Sequence, residues 1–176
     1  DISTQRIQTE LKYNRLQIFR CYRIGYLALG ALLLLFSFVL LFRQNLWLKV
    51  AVGILGAGVL IVFHFHMVGM AMRWYIGGYA PWSNSYETMV YVSWVTVCGG
   101  LLFARRSVVT FALATLLGGI VLFVSGLNWM DPQITPLVPV LKSPWLMFHV
   151  AVIVAAYGFF GIGCLLGLTN LSLMAV

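Results

Sequence analysis

Residues 22–42 read YRIGYLALGALLLLFSFVLLF. After Arg23 the run holds no charged side chain, and Ser37 is its one short hydroxyl. About 20 helical residues cross the hydrocarbon core of a bilayer. In lipid, backbone amides and carbonyls must bond within their own segment, so such a run is helical. Working outward from it, four more apolar runs of spanning length follow, at 48–72, 86–104, 107–127 and 145–170. The expected fold is all-α, a polytopic membrane helix bundle with about five transmembrane helices. Residues 1–21 are polar and basic, with Ile7, Leu11, Leu16 and Phe19 at helical spacing. They are expected to form an amphipathic interfacial segment ahead of a transmembrane bundle over 22–176.

Composition agrees. Of 176 residues, 62% are hydrophobic and 9% charged, and the mean hydropathy is +0.98. A water-soluble domain of this size lacks the polar residues to cover such a surface. The net charge of +7 comes mostly from Arg and Lys near helix ends. That pattern is ordinary for a membrane protein and gives no reason to expect nucleic acid as a partner. Cys21, Cys98 and Cys164 stand far apart without metal-ligand spacing and read as free thiols. The tight basic turn ARRS, ending at Ser107, belongs on the cytoplasmic side. Loops 73–85 and 128–144, rich in Trp, Gly and Pro, then face outside. The same parity places the basic N-terminal segment outside.

Chemistry concentrates in those two loops. In PWSNSYE, Asn84 is a helix cap, and Glu87 three residues on completes a capping-box pattern. Glu87 reads either as a cap at the positive helix end or as a polar group facing a ligand pocket. In LKSPWLMFHV, Ser143 is a suitable N-cap and Pro144 suits the first helical position. His149 then lies about 9 Å into the helix. Trp82, Trp129 and Trp145 mark an interfacial belt or a surface for stacking on a ligand. An ionisable residue inside a span points to function, and histidine is the commonest protein ligand of haem iron. Proton relay, metal ligation and packing all remain open for His149 on these grounds. His64 and His66 project about 200° apart on one helix, so at most one faces the bundle interior.

The stretches RWYIGGYAPWSNSYETMVYVSW and NWMDPQITPLVPVLKSPWLMFHVAVIVAAYG, with the spacing between them, resemble the CcsA-type (system II) cytochrome c synthesis proteins. The likeness is strongest to the form in which CcsA is fused behind CcsB. It covers about residues 70–165. Relatives carry Pro-Leu/Trp-Ser-Asn/Asp-x-Tyr-Glu-Ser in the first motif and Leu-Gln/Lys-Ser-x-Trp-Leu-x-x-His-Val in the second. Pro144 stands where they often have a larger side chain.

The resemblance implies a multi-pass protein of the bacterial inner membrane. Such a protein holds haem b at the periplasmic face for attachment to apocytochrome c. His149 would be one axial ligand of the iron. Because the helices beginning near Asn84 and Pro144 both start at the outer face, Asn84, Glu87 and His149 are expected to line one outward cavity, with Trp82 and Trp145 at its rim and the haem propionates near those helix starts or near Arg73 and Lys142. Implied partners are a CcsB/ResB-like protein or fused domain, apocytochrome c, a thioredoxin-like thiol reductant and the lipid bilayer. The family's WWD segment and second outer histidine do not occur in this sequence. The chain is therefore expected to correspond to the N-terminal half of CcsA, with synthase activity belonging to a larger protein. Two other classes stand beside this reading: a transporter or quinone-linked subunit with proton-carrying histidines, and a non-catalytic assembly subunit.

Single cysteines at Ser85 and Ser107, in a background without the native thiols, test the topology. An impermeant maleimide applied to intact cells should label position 85 and spare position 107. The opposite pattern reverses the orientation.

Overall fold

A computed structural model describes residues 4–127, 130–135 and 143–175. All regular structure among them is helical: α1 (Thr4–Leu16), α2 (Ile18–Phe42), α3 (Leu46–Gly77), α4 (Ser85–Phe103), α5 (Val108–Ser125) and α6 (Pro144–Met174). Five helical segments are long and apolar enough to cross a membrane, with α1 and α2 counted as one. The chain is a multi-pass membrane protein.

The helix ends refine the expected boundaries. Span two extends to Gly77, because α3 continues until Gly78 takes up a left-handed conformation (φ 73°) and its amide bonds the Trp74 carbonyl at 2.8 Å. Gly78 tolerates that conformation because it has no Cβ. The first loop accordingly shrinks from 73–85 to 78–84, and Arg73 belongs to a helix rather than a loop. At the other extreme α1 and α2 are divided by Gln17, a non-glycine residue at φ 41°, ψ 45°. Its carbonyl accepts the Arg20 amide at 2.9 Å, so the chain turns sharply and helix resumes at once.

The centre of the bundle is α5, which packs against α2, α4 and α6. Lipid tails are as apolar as Leu, so close backbone approach and hydrogen bonds drive helix association in a membrane. Small residues permit it here. A Cβ on Gly30 of α2 would stand 2.7 Å from the Leu116 amide nitrogen of α5. One on Gly119 of α5 would stand 2.9 Å from the Leu27 nitrogen of α2. On the other face of α5, Ser93 of α4 donates to the Gly118 carbonyl at 2.7 Å. The outer helix α3 presents Ile54, Leu60, Ile61 and Phe65 outward, as lipid contact requires.

Helix α1 lies at the end of the bundle that carries residues 78–84, 126–127 and 130–135, the loop end. There Tyr13 meets Arg73 and Arg6 lies over the Tyr75 ring at 5.9 Å. Ile7, Leu11 and Leu16 of α1 are exposed.

Two alanine substitutions check the packing. Gly30→Ala should lower stability by about 1–3 kcal/mol, since its Cβ meets backbone that cannot yield. Gly53 has open space around its Cβ position, so Gly53→Ala should be neutral or gain up to about 1 kcal/mol from helix propensity. Thermal unfolding in detergent separates the two.

Candidate functional site

The loop end is organised by a buried ion pair. Arg73 Nη2 and Nε donate to Glu87 Oε1 at 2.9 and 3.2 Å. Arg73 Nη1 donates to the Tyr13 hydroxyl at 3.0 Å and to the Pro132 carbonyl at 2.9 Å. The guanidinium also lies over the Tyr86 ring, 5.0 Å from its centroid. Arg73 and Glu87 are each 1% exposed. A planar guanidinium with several fixed donors suits this arrangement, which joins α1, α3, α4 and the segment after α5.

The start of α4 follows the expected capping chemistry with one shift. Asn84 Oδ1 accepts the Glu87 amide at 2.7 Å. Glu87 Oε2 reaches back to the Ser83 amide at 3.1 Å, one residue before the cap. Its other oxygen faces Arg73, so the carboxylate serves as cap and ion-pair partner together. Nearby, the Tyr79 hydroxyl donates to the Thr135 carbonyl at 2.7 Å. Partial burial, then the Glu87 charge, raise the Tyr79 phenol above its ordinary pKa, with Arg73 acting in the opposite direction.

Helix α6 starts at Pro144, as expected, but the Ser143 side chain makes no capping bond. The start is tied instead from outside: Trp82 Nε1 donates to the Met147 carbonyl at 3.2 Å. Trp82 in turn packs on Tyr91 and Trp74, at ring separations of 5.0 and 6.1 Å. The starts of α4 and α6 are therefore neighbours at one end of the bundle. His149 is exposed and makes no hydrogen bond to a described residue. Trp145, one turn earlier on its face, is 83% exposed.

The expectation that Asn84, Glu87 and His149 line one outward cavity needs correction. Asn84 lines a cavity of about 180 Å³ with Tyr86, Met130, Asp131 and Gln133. Glu87 is sealed behind it by Arg73, and His149 stands out on α6. Arg73, expected near haem propionates, is enclosed by Glu87, Tyr13 and Pro132. Lys142 and Trp129 lie outside the described residues.

The paired histidines divide as their spacing requires. His64 is exposed, and His66 is fully buried with Nδ1 3.3 Å from the Tyr26 hydroxyl. His66 Nε2 is buried and has no hydrogen-bond partner among the described residues. Cys21, Cys98 and Cys164 are free. Cys21 lies outside the loops but in the first turn of α2, exposed at the loop end. Tyr13, Tyr26 and the Pro132 carbonyl were invisible in the sequence as site components. Their partners lie 40–60 residues away, and no local pattern marks them.

Removing one member of the ion pair leaves a buried charge uncompensated. Arg73→Ala or Glu87→Ala should each cost about 3–5 kcal/mol. The double replacement Arg73→Ala with Glu87→Ala should cost clearly less than the sum of the two. A double-mutant cycle on detergent-solubilised protein measures that difference.

The cytochrome c assembly protein family model matches residues 82–175. That segment begins at Trp82 and takes in α4, α5, α6 and His149. Protein NrfI of Wolinella succinogenes is 46% identical over 174 residues, which are 97% of this chain and 19% of that protein. The cytochrome c biogenesis protein CcsA of a Synechococcus species is 37% identical over 106 residues, 58% of this chain and 33% of its own length. CcsA of Guillardia theta is 37% identical over 114 residues, 60% of this chain and 36% of its own. The chain thus spans 19% of the first of these relatives and 33–36% of the other two. With its family match covering α4 to α6 and the whole of the Trp82–His149 region, this chain belongs to the cytochrome c assembly protein family.

Proposed function

We propose that this chain is part of a cytochrome c synthesis protein that presents haem b at the periplasmic face of a bacterial inner membrane. His149 supplies one axial imidazole to the iron, and apocytochrome c receives the haem. The observation that carries this reading is the state of His149: an exposed imidazole, unbonded to any described residue, on the first turns of a span. A histidine kept for packing would be enclosed or hydrogen-bonded, as His66 is. Trp145, Phe148 and Val152 are exposed beside it, giving the apolar surroundings that a porphyrin face requires.

Haem is the substrate here, and the thioether bonds form between its vinyl groups and acceptor cysteines. The chain's own contribution is positional. Trp82 fixes where α6 begins through the Met147 carbonyl, and so fixes the height of His149. Asn84 and the Arg73–Glu87 pair fix the start of α4, on which Trp82 rests. Trp145 forms one wall. A second axial ligand, and the cover for this open face, belong to further parts of the protein or to a CcsB/ResB-like partner. A thioredoxin-like reductant keeps the acceptor thiols reduced.

In the full-length protein, His149→Gly should lose its haem absorbance and its cytochrome c maturation. Added imidazole fills the space left and should restore part of both. His64→Ala, on an exposed face of α3, should leave the spectrum as it is. A His149→Gly protein with an unchanged Soret band removes the ligand assignment.

A further inference from the structure

At the loop end, away from α6, a cavity of about 880 Å³ opens between the α1–α2 junction, the start of α4 and the end of α5. Pockets of this size accept whole small amphiphiles. Arg20 and Arg23 line it from successive turns of α2. Among the described residues, the Arg20 side chain bonds only that of Gln17, at 3.2 Å. Arg23 lies over the Phe123 ring at 5.3 Å and has no hydrogen bond or ion pair with a described residue. Among the described residues, the one carboxylate in the lining is Asp131, whose Oδ1 accepts the Gln133 amide at 2.9 Å. It forms no ion pair with either arginine. Two guanidinium groups therefore face the cavity against one carboxylate.

The rest of the lining says what accompanies the anion. Ile18, Leu122, Leu127 and Met130 give an apolar wall, and the Tyr86 hydroxyl, with no partner among the described residues, adds a donor. The depth is set by Gly126. It ends α5, and the Arg23 guanidinium lies so close that a Cβ on Gly126 would overlap it. Arg23 is thus level with the point where a spanning helix leaves the hydrocarbon. The headgroup layer begins there, within reach of an arginine side chain. Guanidinium forks match phosphate oxygens two at a time.

We infer that this cavity binds an anionic phospholipid, with its phosphate between Arg20 and Arg23 and its glycerol and upper chains on the apolar wall. The site is separate from His149: α2 and α6 both pack on α5 and make little contact with each other. The ligand would brace the α1–α2 turn at Gln17, which no side chain caps.

The test uses the full-length protein, stripped of lipid in neutral detergent. Native mass spectrometry and thermal unfolding are followed during titration with phosphatidylglycerol, phosphatidylcholine, inorganic phosphate or haemin. Phosphatidylglycerol should be retained and should raise the unfolding midpoint, with phosphatidylcholine and inorganic phosphate far weaker. Arg20→Gln with Arg23→Gln should weaken phosphatidylglycerol binding about thirtyfold. Gly126→Ala keeps both charges but displaces the Arg23 guanidinium, and should weaken binding by a smaller factor. It serves as the reading if the double variant fails to fold. Equal binding of the two lipids overturns the inference in favour of an apolar groove. Inorganic phosphate as tight as phosphatidylglycerol overturns it in favour of a small-anion site. Affinity unchanged in either variant removes the arginines from the site. Haemin binding lost in the double variant, with phosphatidylglycerol binding kept, assigns them to a porphyrin instead.

Discussion

A buried arginine at the edge of a membrane must find partners for its charge and its donors, and Arg73 finds them on three other parts of the chain, α1, α4 and the segment after α5. Glu87 neutralises it, Tyr13 and the Pro132 carbonyl take its remaining bonds, and the Tyr86 ring covers it. A buried ion pair is weak evidence for net stability, because desolvation offsets much of the attraction. Its effect here is on geometry. Any shift of α1, α3 or α4 at this end would leave a charge or a donor unmatched in low dielectric, which is costly. The surface on which Trp82 stands is held in place this way.

The rest of the bundle is held by a different principle. Along α5, glycines on both sides let backbones approach closely, so dispersion and the Ser93–Gly118 bond do what the hydrophobic effect does in water. The two principles divide the molecule by depth. In the apolar centre, packing of small residues decides which helices are neighbours. At the loop end, polar contacts decide how their ends are aligned.

That division bears on function. His149 and Trp145 stand on α6, exposed, while the groups that fix their position lie behind them in α3, α4 and the segment around Trp82. In the function proposed above, an exposed imidazole on a well-located helix meets a large planar ligand. His66, enclosed by Phe19, Tyr22 and Tyr26, is not. The two histidines show how burial, more than residue type, separates a group available to a ligand from one committed to the core.

Much of this was legible in the sequence because membrane helices obey one-dimensional rules. Length and apolarity gave five spanning segments, and Asn84 and Pro144 marked helix starts through local backbone chemistry. The motifs around Trp82 and His149 pointed to the cytochrome c assembly family. The remainder depended on contacts between distant segments. Ser143 has the local chemistry of a cap for α6, yet the bond that ties that helix comes from Trp82, 65 residues from its acceptor. The break at Gln17 has neither glycine nor proline to announce it. By sequence Arg73 belongs to a loop, near the propionates of the expected haem. The tertiary structure placed it in α3 and enclosed it, because Glu87 and Tyr13 converge on it from 14 and 60 residues away. Local patterns report where a helix can begin and what it can cross; only the packed bundle decides which charges meet, since that depends on distances between helices that no stretch of sequence contains.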